Sequence, residues 1–302
     1  MKKIILITGT GYISHGVVAF EKAYKTVIVD NLSNSSKEVL DIKNILGYIP
    51  DFFEVDLRNK EKLKEVFEKY NFDVIHFALK SVESCQKPIK YFDNNINSLV
   101  LFELMDEFKV KNIIFSSSAT VYKEKNDNYT ELDKTNTSNP YTTKFLIENI
   151  LSDLSKFLGF NVINLRYFNP IAHSSGNIEN PNLPNNLLPY VMKVATEYKE
   201  VKVFNDYNTP DTVRDYIDVV DLMEGHLKAY EFLKNKKFFE TFNLTKISVL
   251  EIIQNVEKVT KNIPYKITSR REDLAEVYCN PLKAKILNWK ANTSLEESIK
   301  NM

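Results

Sequence analysis

Lys3-Ile-Ile-Leu-Ile-Thr-Gly-Thr-Gly11 is the stretch on which the fold turns. Its apolar run, rich in β-branched residues, reads as a strand buried on both faces, as in a parallel sheet. Gly9 and Gly11 end the run and open a helix over about Tyr12 to Ala23. Thr26-Val-Ile-Val-Asp30 then reads as a second strand that ends in an acid. Taken alone, the segment also fits a plain strand–turn–helix connection, because Gly9, Gly11 and Gly16 match no complete phosphate-binding glycine pattern.

The following segments settle the choice of fold. Strands are expected at Phe52 to Asp56, Asp73 to Ala78, Asn112 to Ser118 and Asn161 to Tyr167. Between them lie helical patterns at Asn34 to Gly47, Lys60 to Tyr70, Pro88 to Phe108 and Asn139 to Leu158. In the last helix Asn139 is the expected N-cap and Pro140 the first helical residue. Strict alternation of strand and helix predicts an α/β protein with a doubly wound parallel sheet. After about Asn169 the rhythm breaks and Asn and Pro become frequent. The expectation is a sheet domain over 1–169 and a smaller, interleaved C-terminal lobe over 170–302 that carries the substrate side.

Composition narrows the function classes. The chain has 302 residues, 43% of them hydrophobic and 12% aromatic, which is ample for a packed core. Lys plus Arg and Asp plus Glu number 40 each, without the basic excess of a nucleic-acid or membrane-surface protein. No apolar run approaches the roughly 20 residues that span a bilayer. Cys85 and Cys279 fit reduced cytoplasmic thiols better than a disulfide framework. The four histidines show no metal-ligand spacing, so no metal is expected.

Three places carry chemistry. Gly9 and Gly11 allow close backbone approach to a pyrophosphate, which the following helix N-terminus favours. Asp30, at the end of the second strand, suits ribose hydroxyls and hence NAD over NADP. Phe115-Ser-Ser-Ser-Ala-Thr-Val-Tyr122 and Asn139-Pro-Tyr-Thr-Thr-Lys144 supply a serine at a strand end and a tyrosine–lysine pair at a helix start. A phenol with a pKa near 10 is a weak base at neutral pH, but an adjacent ammonium favours its phenolate. Ser118, Tyr141 and Lys144 in one site would take a hydroxyl proton while hydride leaves to a nicotinamide.

Ordered motifs along most of the chain match one family. They include Val29-Asp-Asn-Leu-Ser-Asn-Ser-Ser36, Val74-Ile-His-Phe-Ala78, Phe115 to Tyr122, Leu165-Arg-Tyr-Phe-Asn-Pro170, Pro184-Asn-Asn-Leu-Leu-Pro-Tyr190, Val213 to Leu222 and Arg270-Arg-Glu-Asp-Leu-Ala275. The chain resembles the UDP-glucose 4-epimerases, of the extended short-chain dehydrogenase/reductase family. The resemblance implies a Rossmann-type sheet, bound NAD, a UDP-sugar substrate, a cytoplasmic homodimer and interconversion of UDP-glucose with UDP-galactose through a 4-keto sugar. It assigns Ser118, Tyr141 and Lys144 to catalysis. Around NAD it places Gly9, Gly11, Tyr12, Ile13, Asp30, Asn31, Ser33, Asn34, Ser35, Asp56 and Leu57, then Phe77, Ala78, Lys80, Asn95, Tyr141, Lys144 and Tyr167. For the sugar nucleotide it implies Lys80, Ser118, Tyr141, Asn169, Asn186, Leu187, Val203 and Phe204, then Arg214, Tyr216, Arg271 and Asp273. Two arginines suit a diphosphate because a guanidinium binds it bidentately. Without the resemblance, Arg214 and Arg271 read as surface ion pairs with Asp215 and Glu272.

One departure runs through the whole chain. Gly is 7 of 302 residues, against roughly 7% in ordinary proteins. Where the chain is shorter than the family pattern, the missing residue is almost always a glycine. One such place lies within Tyr141-Thr-Thr-Lys144, where the family has four steps from Tyr to Lys and this chain has three. About 15 restored glycines would return the content to the ordinary value. The preferred expectation is therefore an ordinary epimerase whose written sequence lacks these glycines. If they are truly absent, Lys144 on a helix would shift by about 100° relative to Tyr141. The chain would then bind NAD and a nucleotide sugar without turnover. A nucleotide-sugar 4,6-dehydratase is the other alternative, disfavoured because Ala119-Thr120 stand where that chemistry needs an acid and a base.

Overall fold

The computed structural model describes residues 2–9, 20–21, 24–32, 46–48, 50–78, 98–123, 129–135, 143–171, 201–205, 215–233, 239–245, 265–269, 279, 281–294 and 297. Seven strands form one sheet: β1 (Ile4–Thr8), β2 (Lys25–Asp30), β3 (Asp51–Glu54), β4 (Val74–Phe77), β5 (Asn112–Ser116), β6 (Asn161–Tyr167) and β10 (Phe239–Leu244). Their order is β10-β6-β5-β4-β1-β2-β3, and every pairing is parallel. The sheet is thus the expected doubly wound one. Its order reverses direction between β1 and β4, where such sheets open a crevice at their C-terminal edge.

Alternation along each strand explains the two layers. Ile5 and Ile7 point to one face and Leu6 to the other, all three inaccessible to solvent. On one face Leu6, Val27, Ile75, Phe77 and Ile113 pack against α1 (Lys60–Lys69), α2 (Ser98–Glu107) and α3 (Thr143–Leu158). On the other face Ile5, Ile7, Ile114 and Ile163 pack against Phe20, Tyr24, α4 (Val219–Leu233) and Trp289. A strand buried on both sides has no polar face to show, which is why these segments read as unbroken apolar runs.

Local signals set several boundaries. Asn59 caps α1 by accepting a hydrogen bond from the Lys62 amide at 3.0 Å, and Leu63, Val66 and Phe67 form its buried stripe. β5 ends at Ser116, two residues before the expected end. Ser118 instead caps a short 3₁₀ turn, Ala119–Val121, accepting from the Thr120 amide. The helix described as α3 starts at Thr143, so the expected cap at Asn139 and Pro140 lies outside the described residues.

The seventh strand comes from residues 239–244, well inside the segment assigned to the smaller lobe, in register with β6 from Phe239↔Val162 to Leu244↔Tyr167. α4 and the 3₁₀ segment Pro281–Leu287 also return to this sheet. Two small parallel pairs stand apart from it. One joins β7 (Asn169–Ile171) to β9 (Tyr216–Asp218), and the other joins β8 (Val201–Asn205) to β11 (Tyr265–Ser269).

The return of the chain depends on a close contact at Gly225. A Cβ there would sit 2.9 Å from Leu244 Cδ1 and 3.3 Å from the Trp289 indole. The indole is itself fixed, donating to the Asp221 carbonyl at 2.9 Å. Gly225→Ala should therefore destabilise the fold by about 1–3 kcal/mol despite its better helix propensity, read as a lower urea midpoint at unchanged slope.

Candidate active site at the C-terminal edge of the sheet

The switch point is closed by polar contacts between β1 and the end of β4. The Ala78 amide donates to the Thr8 hydroxyl at 3.1 Å, and that hydroxyl reaches the Ala78 carbonyl at 3.3 Å. Gly9 follows with a φ of +84°, a conformation that side chains resist, and its amide donates to Val29 at 3.0 Å. This is the kind of strand-end turn that lets a backbone approach a phosphate. Phe77, one residue before Ala78, has its ring in the core, stacked on Phe115 and edge-on to Phe102. Any contact it makes to a ligand is left to its main chain.

Beside this turn, the ends of β2 and β3 bring together Asp30, Asn31, Asp56 and Leu57. Asp30 accepts from the Leu32 amide at 2.6 Å and is 8% exposed. The Asn31 side chain donates to Asp56 at 2.9 Å, and Arg58 grips the same carboxylate through Nε at 2.8 Å and Nη2 at 2.7 Å. Those hydrogen bonds, from Arg58 first, hold the Asp56 carboxyl well below the usual range. The pair thus forms an ionised, oriented wall next to Asp30.

The other side of the crevice is the end of β5. Ser118 is extended, and its Oγ accepts from the Thr120 amide at 3.2 Å and from the Thr120 hydroxyl at 3.0 Å. With two donors already on its oxygen, the Ser118 hydroxyl keeps its own proton to give away. Lys144, near the start of α3, directs Nζ to the Ser116 carbonyl at 3.1 Å and the Ser117 carbonyl at 3.4 Å. It also lies over the Tyr167 ring, 5.7 Å from the centroid. Burial pulls the Lys144 ammonium down to about 8, and Glu148 acts against that shift. The structure thus brings the Lys144 amine to the strand end that carries Ser118.

Behind Lys144 lies a buried polar layer. Ser116 Oγ sits between two imidazoles, 2.9 Å from His76 Nε2 and 3.2 Å from His226 Nε2. His226 Nδ1 is 2.8 Å from the Leu222 carbonyl and donates to it, so its Nε2 is the acceptor. Burial holds His226 down at about 4 and His76 well below its ordinary value, so both are neutral. Burial also raises the Tyr167 phenol, eased by its hydrogen bond with Ser116. On the other flank Arg166 forms a bidentate pair with Glu148, through Nε at 2.9 Å and Nη2 at 2.5 Å.

Of the remaining sequence-predicted residues, the structure pairs Asn169 with Tyr216 in one small sheet, and carries Val203 and Phe204 on β8 of the other. Gly11, Tyr12, Ile13, Ser33, Asn34, Ser35, Lys80, Asn95, Tyr141, Asn186, Leu187, Arg214, Arg271 and Asp273 lie outside the described residues. Sequence reasoning missed Thr120, Ser117, Glu148 and Arg166. One signal was available for Glu148: it falls four residues after Lys144 and so shares its helix face. Among the described residues no cluster of three His, Cys, Asp or Glu side chains is placed to hold a metal, and no helix is long and apolar enough to cross a membrane.

A doubly wound parallel sheet with a positive-φ glycine at its switch point, an acid closing β2 and a buried lysine on the carbonyls that precede Ser118 defines an α/β dinucleotide-binding enzyme scaffold. The chain belongs to the NAD dependent epimerase/dehydratase family, whose model matches residues 5–245. It is 46% identical over 317 residues to the UDP-glucose 4-epimerase of Bacillus subtilis, covering 97% of this chain and 94% of that one. That alignment has 317 positions and covers 97% of the 302-residue chain, about 293 residues, so about 24 positions of the relative have no counterpart here. Among solved structures, the UDP-glucose-4-epimerase from Stenotrophomonas maltophila with bound NAD and formylated UDP-arabinopyranose superposes with a TM-score of 0.91 at 36% identity, covering 100% and 96% of the two chains. The enzyme from Bifidobacterium longum in complex with NAD+ and UDP gives 0.89 at 38% identity, covering 99% and 96%. These matches do not favour a binder without turnover or a 4,6-dehydratase.

Proposed function

We propose that the protein is an NAD-dependent UDP-hexose 4-epimerase, interconverting UDP-glucose and UDP-galactose. The observation that carries this reading is the seating of the Lys144 amine on the Ser116 and Ser117 carbonyls, the two residues that lead directly into Ser118. The strand-end turn at Gly9 and the acids at the ends of β2 and β3 fit a dinucleotide, with Gly9 at the pyrophosphate and Asp30 at the ribose hydroxyls. When bound, NAD supplies the acceptor for the sugar's C4 hydride and gives the hydride back. Tyr141, assigned by its motif, takes the 4-hydroxyl proton as its phenolate. Lys144 favours that phenolate by its charge. Ser118, oriented by Thr120, donates to the sugar's 4-oxygen and holds it while the proton moves. A 4-keto sugar that turns over, takes the hydride back at C4 on its opposite face and takes the proton back from Tyr141 on its 4-oxygen leaves as the epimer. Asn169, Tyr216, Val203 and Phe204, with Lys80, Asn186, Leu187, Arg214, Arg271 and Asp273, are proposed for the sugar nucleotide.

We infer a homodimer built on α2 and α3. Leu99 on α2 and Leu146, Phe157 and Leu158 on α3 are large apolar side chains left exposed, Leu99 and Leu146 at 41% and 45%. Leu146→Glu should shift the protein from dimer to monomer in light scattering, and an unchanged mass would refute the placement. The buried free thiol of Cys279 supports a reducing, cytoplasmic setting, which fractionation of source cells checks.

Purified protein given UDP-galactose should form UDP-glucose, and acid extraction should release NAD. Ser118→Ala should lower kcat by about 10²-fold. Bound NAD with no conversion in the unmodified protein would leave only a binder.

The depressed Lys144 pKa gives a direction in pH. An ammonium that titrates at about 8 is charged below that value and neutral above it. Since the charge supports the phenolate, kcat should fall as pH rises through about 8. Lys144→Met should be slow throughout and lack that limb.

A further inference from the structure

Glu148 and Arg166 form a buried ion pair to which the reaction assigns no role. Glu148 is 4% exposed and Arg166 6% exposed, and the guanidinium holds the carboxylate through two parallel hydrogen bonds. A buried pair of this kind is a poor source of stability, because desolvating two charges offsets most of their attraction. Its contacts point to a different use.

Glu148 Oε1 also accepts from the Ser117 hydroxyl. The main chain of the same serine is fixed to β6, its amide donating to the Leu165 carbonyl at 2.9 Å. Its carbonyl is one of the two that accept Lys144 Nζ, and the next residue is Ser118. One carboxylate therefore fixes the residue that joins the lysine's acceptors to the catalytic serine. Glu148 stands one turn beyond Lys144 on α3, on the same face. Arg166 is fixed in turn by the Tyr122 ring, 4.7 Å from its guanidinium carbon, and the Tyr122 hydroxyl donates to Asn243 on β10 at 2.7 Å.

Among the described residues Glu148 is the anion that acts on Lys144; Glu131, which accepts from the Asn243 amide at 2.8 Å, acts on Tyr122 instead. β6 presents Arg166 and the half-buried Tyr167 phenol, β4 presents His76 and α4 presents His226. Both imidazoles are neutral. Burial works against the charge of Arg166, and its hydrogen bonds to Glu148 more than restore it. The lysine thus keeps its proton against desolvation with one carboxylate in support.

We propose that Glu148, held by Arg166, is a positioning residue for catalysis: it sets the Ser117 linkage between Lys144 and Ser118 and sustains the lysine's charge. This rests on the epimerase reading above. The first measurement is epimerisation by the unmodified protein; no activity there refutes that reading and not this one. With activity in hand, Glu148→Gln should lower kcat about tenfold, leave KM within about twofold, and move the alkaline limb of kcat to lower pH, because the lysine loses its supporting anion.

Glu148→Gln alone leaves Arg166 buried without its partner and is at risk of misfolding. The double variant Glu148→Gln, Arg166→Met removes both charges together, a change that buried pairs often tolerate. It should show the same downward move of the alkaline limb. Ser117→Ala deletes only a hydroxyl and should lower kcat severalfold at unchanged KM. A purely structural pair would instead lower the melting temperature and leave kcat and its pH profile alone. Wild-type kcat and alkaline limb in the double variant, together with wild-type kcat in Ser117→Ala, would overturn the proposal.

Discussion

A buried ammonium must find acceptors, and Lys144 finds them in two backbone carbonyls at the end of β5. Everything on this side of the molecule is arranged around that need. Ser116 and Ser117 give their carbonyls to the lysine and their hydroxyls to the layer behind it, one to the imidazoles and one to Glu148. The next residue leaves the strand and presents Ser118 to the crevice. A cation at the surface would be screened; one desolvated here keeps its field, at the cost of a lowered pKa.

The sheet makes that arrangement possible. Parallel strands end together at one edge, so side chains distant in sequence meet there without strain. Thr8 and Ala78 tie β1 to the end of β4, Asn31 and Asp56 tie β2 to β3, and Tyr122 and Asn243 tie the end of β5 to β10. The last tie links the site's flank to the part of the chain that returns to the sheet. β10 supplies Asn243 to Tyr122, and Tyr122 supports Arg166 beneath the lysine. The seventh strand therefore bears on this edge of the sheet through Tyr122 and Arg166.

Most of the sheet's strands were legible because burial on both faces makes them predominantly apolar and β-branched; Asn161–Tyr167 was read to the residue. The end of β5 was read two residues too long, because Ser118 prefers to cap a turn with its own hydroxyl. β10 was not read as a strand. Phe-Glu-Thr-Phe-Asn-Leu interrupts its apolar residues with the adjacent Glu240 and Thr241 and so shows no clean strand period, and only its pairing with β6 makes Asn243 an interior group. Glu148 and Arg166 were passed over because charged residues in a helix and a strand are ordinarily solvated. Their burial follows from how α3 lies on the sheet.

Residue order along the chain therefore decided the layer architecture and the cofactor edge and pointed to the residues proposed for catalysis, since each depends on local periodicity or on a motif a few residues long. Burial of a charge and convergence of distant side chains depend instead on three-dimensional packing. The glycine shortfall shows the same division. From spacing alone, three steps between Tyr141 and Lys144 imply a misdirected lysine. Tyr141 lies outside the described residues, but the fold seats the Lys144 amine on the Ser116 and Ser117 carbonyls, an acceptor pair from a distant strand that no count of steps along the chain foretells.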